Sequence, residues 1–195
     1  MPIGVGVVLM NKQIIPGSEF EDRFSQKGHL YNELVAQSLK RFLTAASHKA
    51  GTDDYLVKVN FSRRAGTDYQ HMKDYLIALR DTEHRNERDG VENPMRTDWS
   101  KLDIEGTRVE NHTKSPGLQL ADCVASAFFN GFERNLYGNT EPRYAQTLAP
   151  RLLQFGTDPI GEGIALVPSI HRSSCSVEHR ALLAELAKSE RAPGS

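Results

Sequence analysis

A chain of 195 residues with 38% hydrophobic content can bury one sizeable core, so one domain with extensions is expected and a second full domain is not. Lys and Arg total 24 against 25 Asp and Glu, a net charge of -1, which removes any global electrostatic reason for a nucleic-acid or anionic-membrane partner and leaves only local patches. Two distant cysteines, Cys123 and Cys175, with no CxxC or Cys/His cluster, indicate neither a disulfide framework nor a zinc site; reduced thiols in a soluble, cytoplasmic protein are the expectation.

The opening IGVGVVLM has no basic lead-in and falls short of the about 20 apolar residues a membrane span needs. Its part from Val5 to Met10 is valine-rich and nearly continuous, which predicts a buried strand, and Pro16-Gly17 marks a turn. From His29 to Ala46, apolar residues recur at Tyr31, Val35, Leu39, Phe42 and Leu43, close to the helical period, with Lys40 and Arg41 towards the C-terminal end. A core-facing helix is predicted there. After Gly51, YLVKVNF alternates Tyr55, Val57, Val59 and Phe61 against Lys58 and Asn60, the pattern of a strand with one polar face. Residues Asp68 to Arg80 return to helical spacing through Tyr69, Met72, Leu76 and Leu79.

The segment Arg80 to Lys101 mixes both signs of charge with Gly90 and Pro94 and reads as a solvated helix end and loop. LDIEGTRVE follows as a short polar strand. A helical stretch is predicted from Tyr144 to Phe155 and another from Val177 to Lys188, with Ser174 or Ser176 as its cap, before a frayed Ala-Pro-Gly-Ser tail. The alternation of strands and helices gives an α/β or α+β class.

The most informative stretch is SPGLQLADCVASAFFNGF, Ser115 to Phe132. Pro116 suits a first helical turn and Ser115 before it is a favoured N-cap. Ser115, Gln119, Asp122, Ser126, Asn130 and Glu133 recur every three or four residues as one narrow polar stripe, so most of the helix is expected to be buried. Asp122 is the one charged side chain of the stretch. It reads either as a solvated acid or as a hard-oxygen ligand for magnesium or manganese.

The string KSPGLQLADCVASAFF resembles the C-terminal signature of the family called domain of unknown function 3800, and the upstream order is similar too: a strand ending in Asn11-Lys12, a helix opening with Leu30-Tyr31-Asn32, then YLVKVNF. The resemblance covers roughly Val5 to Phe132. It implies an RNase H-like fold, here incomplete: an α/β protein with a mixed sheet flanked by helices over residues 1–135 and a helical C-terminal extension over 136–195. It also implies phosphodiester hydrolysis with two divalent metal ions, Mg2+ or Mn2+, held by carboxylates, and RNA or DNA as the partner.

By that resemblance Asp122 takes the C-terminal acid position, and Glu33, the acid of the first helix, takes a second. Glu110 is a third metal-ligand candidate. Asp103 flanks the same strand, Asn60 stands where a second-strand ligand would fall and is neutral, and His112 could orient a leaving group or base near the turn. Gln119 and Ser115 share the stripe of Asp122. From the residues alone Glu33 reads as a surface acid, and Glu110 and Asp103 as solvent-facing strand residues. The family's first-strand Asp-Glu-Ser motif has no counterpart before Val5, so the chain is expected to start at the third strand of the family and to be impaired in hydrolysis. The alternative is a non-catalytic protein-interaction module whose strand edges are completed by a partner or a second copy. A small-molecule enzyme finds no support in GxGxxG, GxxxxGK, HExxH or GxSxG strings.

Overall fold

The computed structural model describes residues 3–89, 97–156, 159–169 and 172–189; Gly90, Pro94 and the Ala-Pro-Gly-Ser end lie outside them. In chain order the elements are β1 (Val7–Met10), α1 (Glu21–Ser25), α2 (His29–Ala50), β2 (Asn60–Ser62), α3 (Tyr69–Arg88) and β3 (Arg108–Glu110). They continue with α4 (Pro116–Phe132), α5 (Arg143–Leu148), α6 (Pro159–Glu162), β4 (Ile164–Val167) and α7 (Val177–Ala187). The class is mixed α/β, and Cα packing gathers the chain into two compact units: Phe20–Ser115, and Met1–Glu19 with Pro116–Ser195.

In the unit Phe20–Ser115, three of the five apolar positions expected to face the core from α2 do so: Val35, Leu39 and Leu43, with Ala36, are buried against Met72 and Leu76 of α3 and against Trp99, Leu102 and Ile104, while Tyr31 is half-buried and Phe42 is exposed. Each fully buried leucine of this set contributes roughly 1.5–3 kcal/mol relative to exposure. Gly51 ends α2 in the left-handed region at φ 64°, where a residue without Cβ is favoured. β2 and β3 pair in parallel, Asn60 with Arg108 and Ser62 with Glu110, and α3 is the crossover that parallel neighbours require. The strand expected over Tyr55 to Phe61 shrinks to β2 and one isolated bridge between Val57 and Leu102. The opposing chain cannot keep step there, because the Asp103 carboxylate accepts from the Gly106 N–H at 2.8 Å and turns residues 103–106 out of the ladder. α3 runs on to Arg88 rather than stopping near Arg80, since Arg, Glu and Asp cost a helix little until a glycine or proline arrives.

The other unit holds β1 against β4, also parallel, with Val7 opposite Ile164 and Met10 opposite Val167. Its core joins Val5, Phe128, Ala145, Leu152, Ile164, Leu182, Leu183 and Leu186. Segment 136–195, expected to be helical, therefore supplies a strand. IALV is a short, continuous apolar run of the kind parallel strands use, and Gly163 before it lets the chain approach closely: a Cβ there would lie 2.5 Å from the Leu153 carbonyl oxygen. The one mixed sheet expected from sequence is instead two separate two-stranded parallel sheets. The helix predicted from Tyr144 to Phe155 splits into α5 and a 3-10 turn, Ala149–Arg151, with Pro150 inside it. α7 starts where predicted, with Ser176 Oγ accepting from the His179 N–H at 3.1 Å. Both cysteines are free, and among the described residues no helix is long and apolar enough to cross a membrane.

Candidate functional site

Helix α4 forms over the predicted span, but its burial is the reverse of the expectation. Only Leu118, Ala127, Phe128 and Gly131 are buried; the last three share one side of the helix, flanked by the half-buried Val124 and Phe132. Gly131 allows that side to close on α7 and α5, with Leu182 and Ala145 within 3.4 and 3.6 Å of where its Cβ would stand. The polar stripe is exposed, and so is much of the apolar remainder: Leu120, Ala121, Ala125 and Phe129, the last at 62%. A pattern that is apolar nearly all round reports how much surface a helix could bury, not how much its neighbours cover.

Apolar exposure continues beyond the helix end. Asn135 ties a compact turn in which its side-chain oxygen accepts from the N–H groups of Tyr137 (2.9 Å) and Asn139 (3.1 Å), while its own N–H donates to Asn139 O at 2.8 Å. Gly138 provides the left-handed residue at φ 79°. This turn carries Leu136 at 101% and Tyr137 at 87% exposure. At the same end His179 Nε2 donates to Phe132 O at 2.7 Å, which fastens α7 to α4.

Asp122 sits on the exposed side of α4 and makes no hydrogen bond or ion pair among the described residues. Ser115 directly precedes α4 in extended conformation, its N–H donating to His112 O, and Gln119 is exposed on the first turn. Asp122 and Gln119 belong to one unit, whereas Ser115, Glu33, Asn60, Asp103, Glu110 and His112 belong to the other.

Glu33 is engaged on both oxygens. Oε2 accepts from Arg23 Nη2 at 2.6 Å and from the Tyr75 hydroxyl at 2.9 Å, and Oε1 accepts from Gln37 Nε2 at 2.9 Å. Its side chain is 13% exposed. Burial, and then the bond to the Glu33 carboxylate, push the Tyr75 phenol above its ordinary value of 10.0. A cation at Glu33 would have to displace the Arg23 guanidinium, so this acid fits a structural ion pair better than a metal ligand. The sequence could have hinted at it: Arg23 and Tyr75 are visible, but only folding sets α1 and α3 beside Glu33.

Of the remaining candidates, Asn60 is exposed on β2 and Asp103 is spent on the Gly106 turn. Glu110 ends β3 with its carboxylate unpaired among the described residues, and His112 is exposed on the 3-10 turn that follows. Among the described residues no group of three or more His, Cys, Asp or Glu is arranged to hold a metal ion. Comparison with protein-family models, curated proteins and solved structures finds no match.

Proposed function

We propose that this chain acts by binding another protein chain, as a non-catalytic interaction module related to RNase H-like, metal-dependent nucleases. The apolar exposed side of α4, continued by the braced Leu136–Tyr137 turn, carries this reading. Each large side chain covered there would contribute roughly 1.5–3 kcal/mol of transfer energy, so a handful suffices for association once its entropic costs are met. A second copy of the chain is the simplest partner. Sedimentation should then show concentration-dependent association that Phe129→Ser with Leu136→Ser abolishes without loss of folded structure. A well-folded monomer at all concentrations that binds no apolar-surface dye overturns the module.

Hydrolysis of RNA or DNA is the second reading, favoured by the exposed, unengaged carboxylate of Asp122 and by the resemblance of its helix to the nuclease-like family. Mg2+ or Mn2+ would rest on Asp122, while the Glu33 carboxylate is engaged by Arg23. Impairment is the expected result. Metal-dependent cleavage that Asp122→Ala removes would restore the enzyme reading, and cleavage that survives Asp122→Ala would dismiss Asp122 from it.

A further inference from the structure

The chain through β1 is held along one edge only. The Val5 N–H donates to Arg151 O at 2.7 Å, and the Val5 carbonyl accepts from the Leu153 N–H at 2.8 Å. Two residues on, the Val7 N–H donates to Gly163 O at 2.7 Å. Backbone groups alternate along a strand, so Val5, Val7 and Leu9 face residues 151–153 and β4, while Gly6, Val8 and Met10 direct their N–H and C=O groups to the opposite edge. Among the described residues no strand pairs there, since β1 and β4 make up their whole sheet, and none of these outward groups forms a hydrogen bond.

Side-chain burial marks the same edge. In β4 Ile164, Ala165 and Val167 are buried, as parallel strands require, whereas all four residues of β1 are only half-buried. Val7 and Leu9 pack against the core of their unit, and Val8 and Met10 alternate to the other face. Natural proteins keep such edges apart with charged side chains, lysine above all, with proline or with bulges. From Ile3 to Asn11 this chain carries no charged residue and no proline, and Lys12 lies beyond the strand in a 3-10 turn.

We infer that β1 pairs edge to edge with β1 of a second copy of this chain, antiparallel across a two-fold axis at Val8. That register sets Val8 opposite Val8 and Gly6 opposite Met10 of the second copy, so each outward N–H meets an outward carbonyl and the order β4–β1–β1–β4 forms one sheet. The absence of charge selects the second copy as occupant. A two-fold axis brings a segment against itself, so any charge near its centre would meet its like, and here there is none. The inference rests on reading the chain as a module that binds its own kind, but it uses none of the exposed side chains of α4.

Sedimentation of the full chain over a concentration series should show a reversible dimer. Val8→Pro removes an outward N–H and spares the bond from Val7 to Gly163, so it should weaken the dimer by about tenfold or more while the circular dichroism spectrum stays that of the folded chain. Val7→Pro loses the bond to Gly163 and should instead lower the thermal midpoint. Val8→Cys, with Cys123→Ser and Cys175→Ser, should crosslink into a dimer under mild oxidation, because a facing pair at a Cα separation of about 5.5 Å lies within disulfide reach. A dimer of unchanged strength in Val8→Pro, or one that gives no crosslink at Val8→Cys, overturns the inference and leaves the α4 reading standing. A dimer weakened by Val8→Pro but untouched by Phe129→Ser with Leu136→Ser keeps the paired edge and removes α4 from it. A monomer at every concentration overturns the pairing of two copies, whatever other strand the edge takes up, and apolar-dye binding then decides the α4 reading by itself.

Discussion

Replacing Glu33 by alanine separates a structural acid from a functional one. The substitution removes three hydrogen bonds: to Arg23, to the Tyr75 hydroxyl and to Gln37. The Arg23 side chain is 54% exposed, so its ion pair is discounted to about 0–1 kcal/mol. The Gln37 contact is a surface pair one helical turn away and adds about 0.3 kcal/mol. Tyr75 is half-buried, and a neutral donor on a charged acceptor is worth about 1.5 kcal/mol or somewhat more. Alanine returns a few tenths, about 0.3 kcal/mol, as the better helix former. The net expected loss is about 2 kcal/mol, roughly a thirtyfold fall in the folding constant. Trp99 is the one tryptophan of the chain, 1% exposed in the core of the same unit, so its fluorescence reports that unit in urea. With a slope of about 2 kcal/mol per molar, the midpoint should drop by about 1 M. Glu33→Gln, which keeps an acceptor for Tyr75, should fall between wild type and Glu33→Ala. An unchanged midpoint in Glu33→Ala refutes the network as a stabilising feature. A raised midpoint together with loss of metal-dependent cleavage would make Glu33 a functional acid held at a cost in stability.

Phe128 is fully buried where α4 meets the core of its unit, so Phe128→Ala should cost about 3–5 kcal/mol, read as a lower thermal midpoint by far-ultraviolet circular dichroism. An unshifted midpoint would mean that α4 is not anchored there. Alkaline stability should be governed in part by Tyr75 and Tyr31, both raised above 10.0, chiefly by burial. A raised value in the folded state means that the folded chain holds these protons more tightly, so their contribution is complete below pH 10 and is lost as pH rises through the folded values. Urea titrations followed through Trp99 between pH 8 and 11 should show that loss, and Tyr75→Phe should flatten it; an equally steep decline in the variant refutes the assignment.

Glu33 shows how an arrangement can be written in plain view and still not be readable. Its helix position suggested a ligand, and the groups that engage its carboxylate, Arg23 and Tyr75, lie 10 and 42 residues away in the chain, on α1 and α3.

Sequence by itself determined the local elements of this protein, because periodicity and capping are encoded within a dozen residues. Helix α4 begins beside Ser115 and Pro116 as read from the chain, α7 takes Ser176 of the two serines offered as its cap, and α2 runs four residues past the expected Ala46 to stop before Gly51. Tertiary structure alone decided which strands pair, that β4 answers β1 across more than a hundred residues, and which apolar faces find cover. Pairing and burial depend on partners distant in the chain, and the pattern of α4 records its apolar surface without recording what covers it. In α4 that surface met a core along one stripe only, and Asp122 was left in solvent beside the rest.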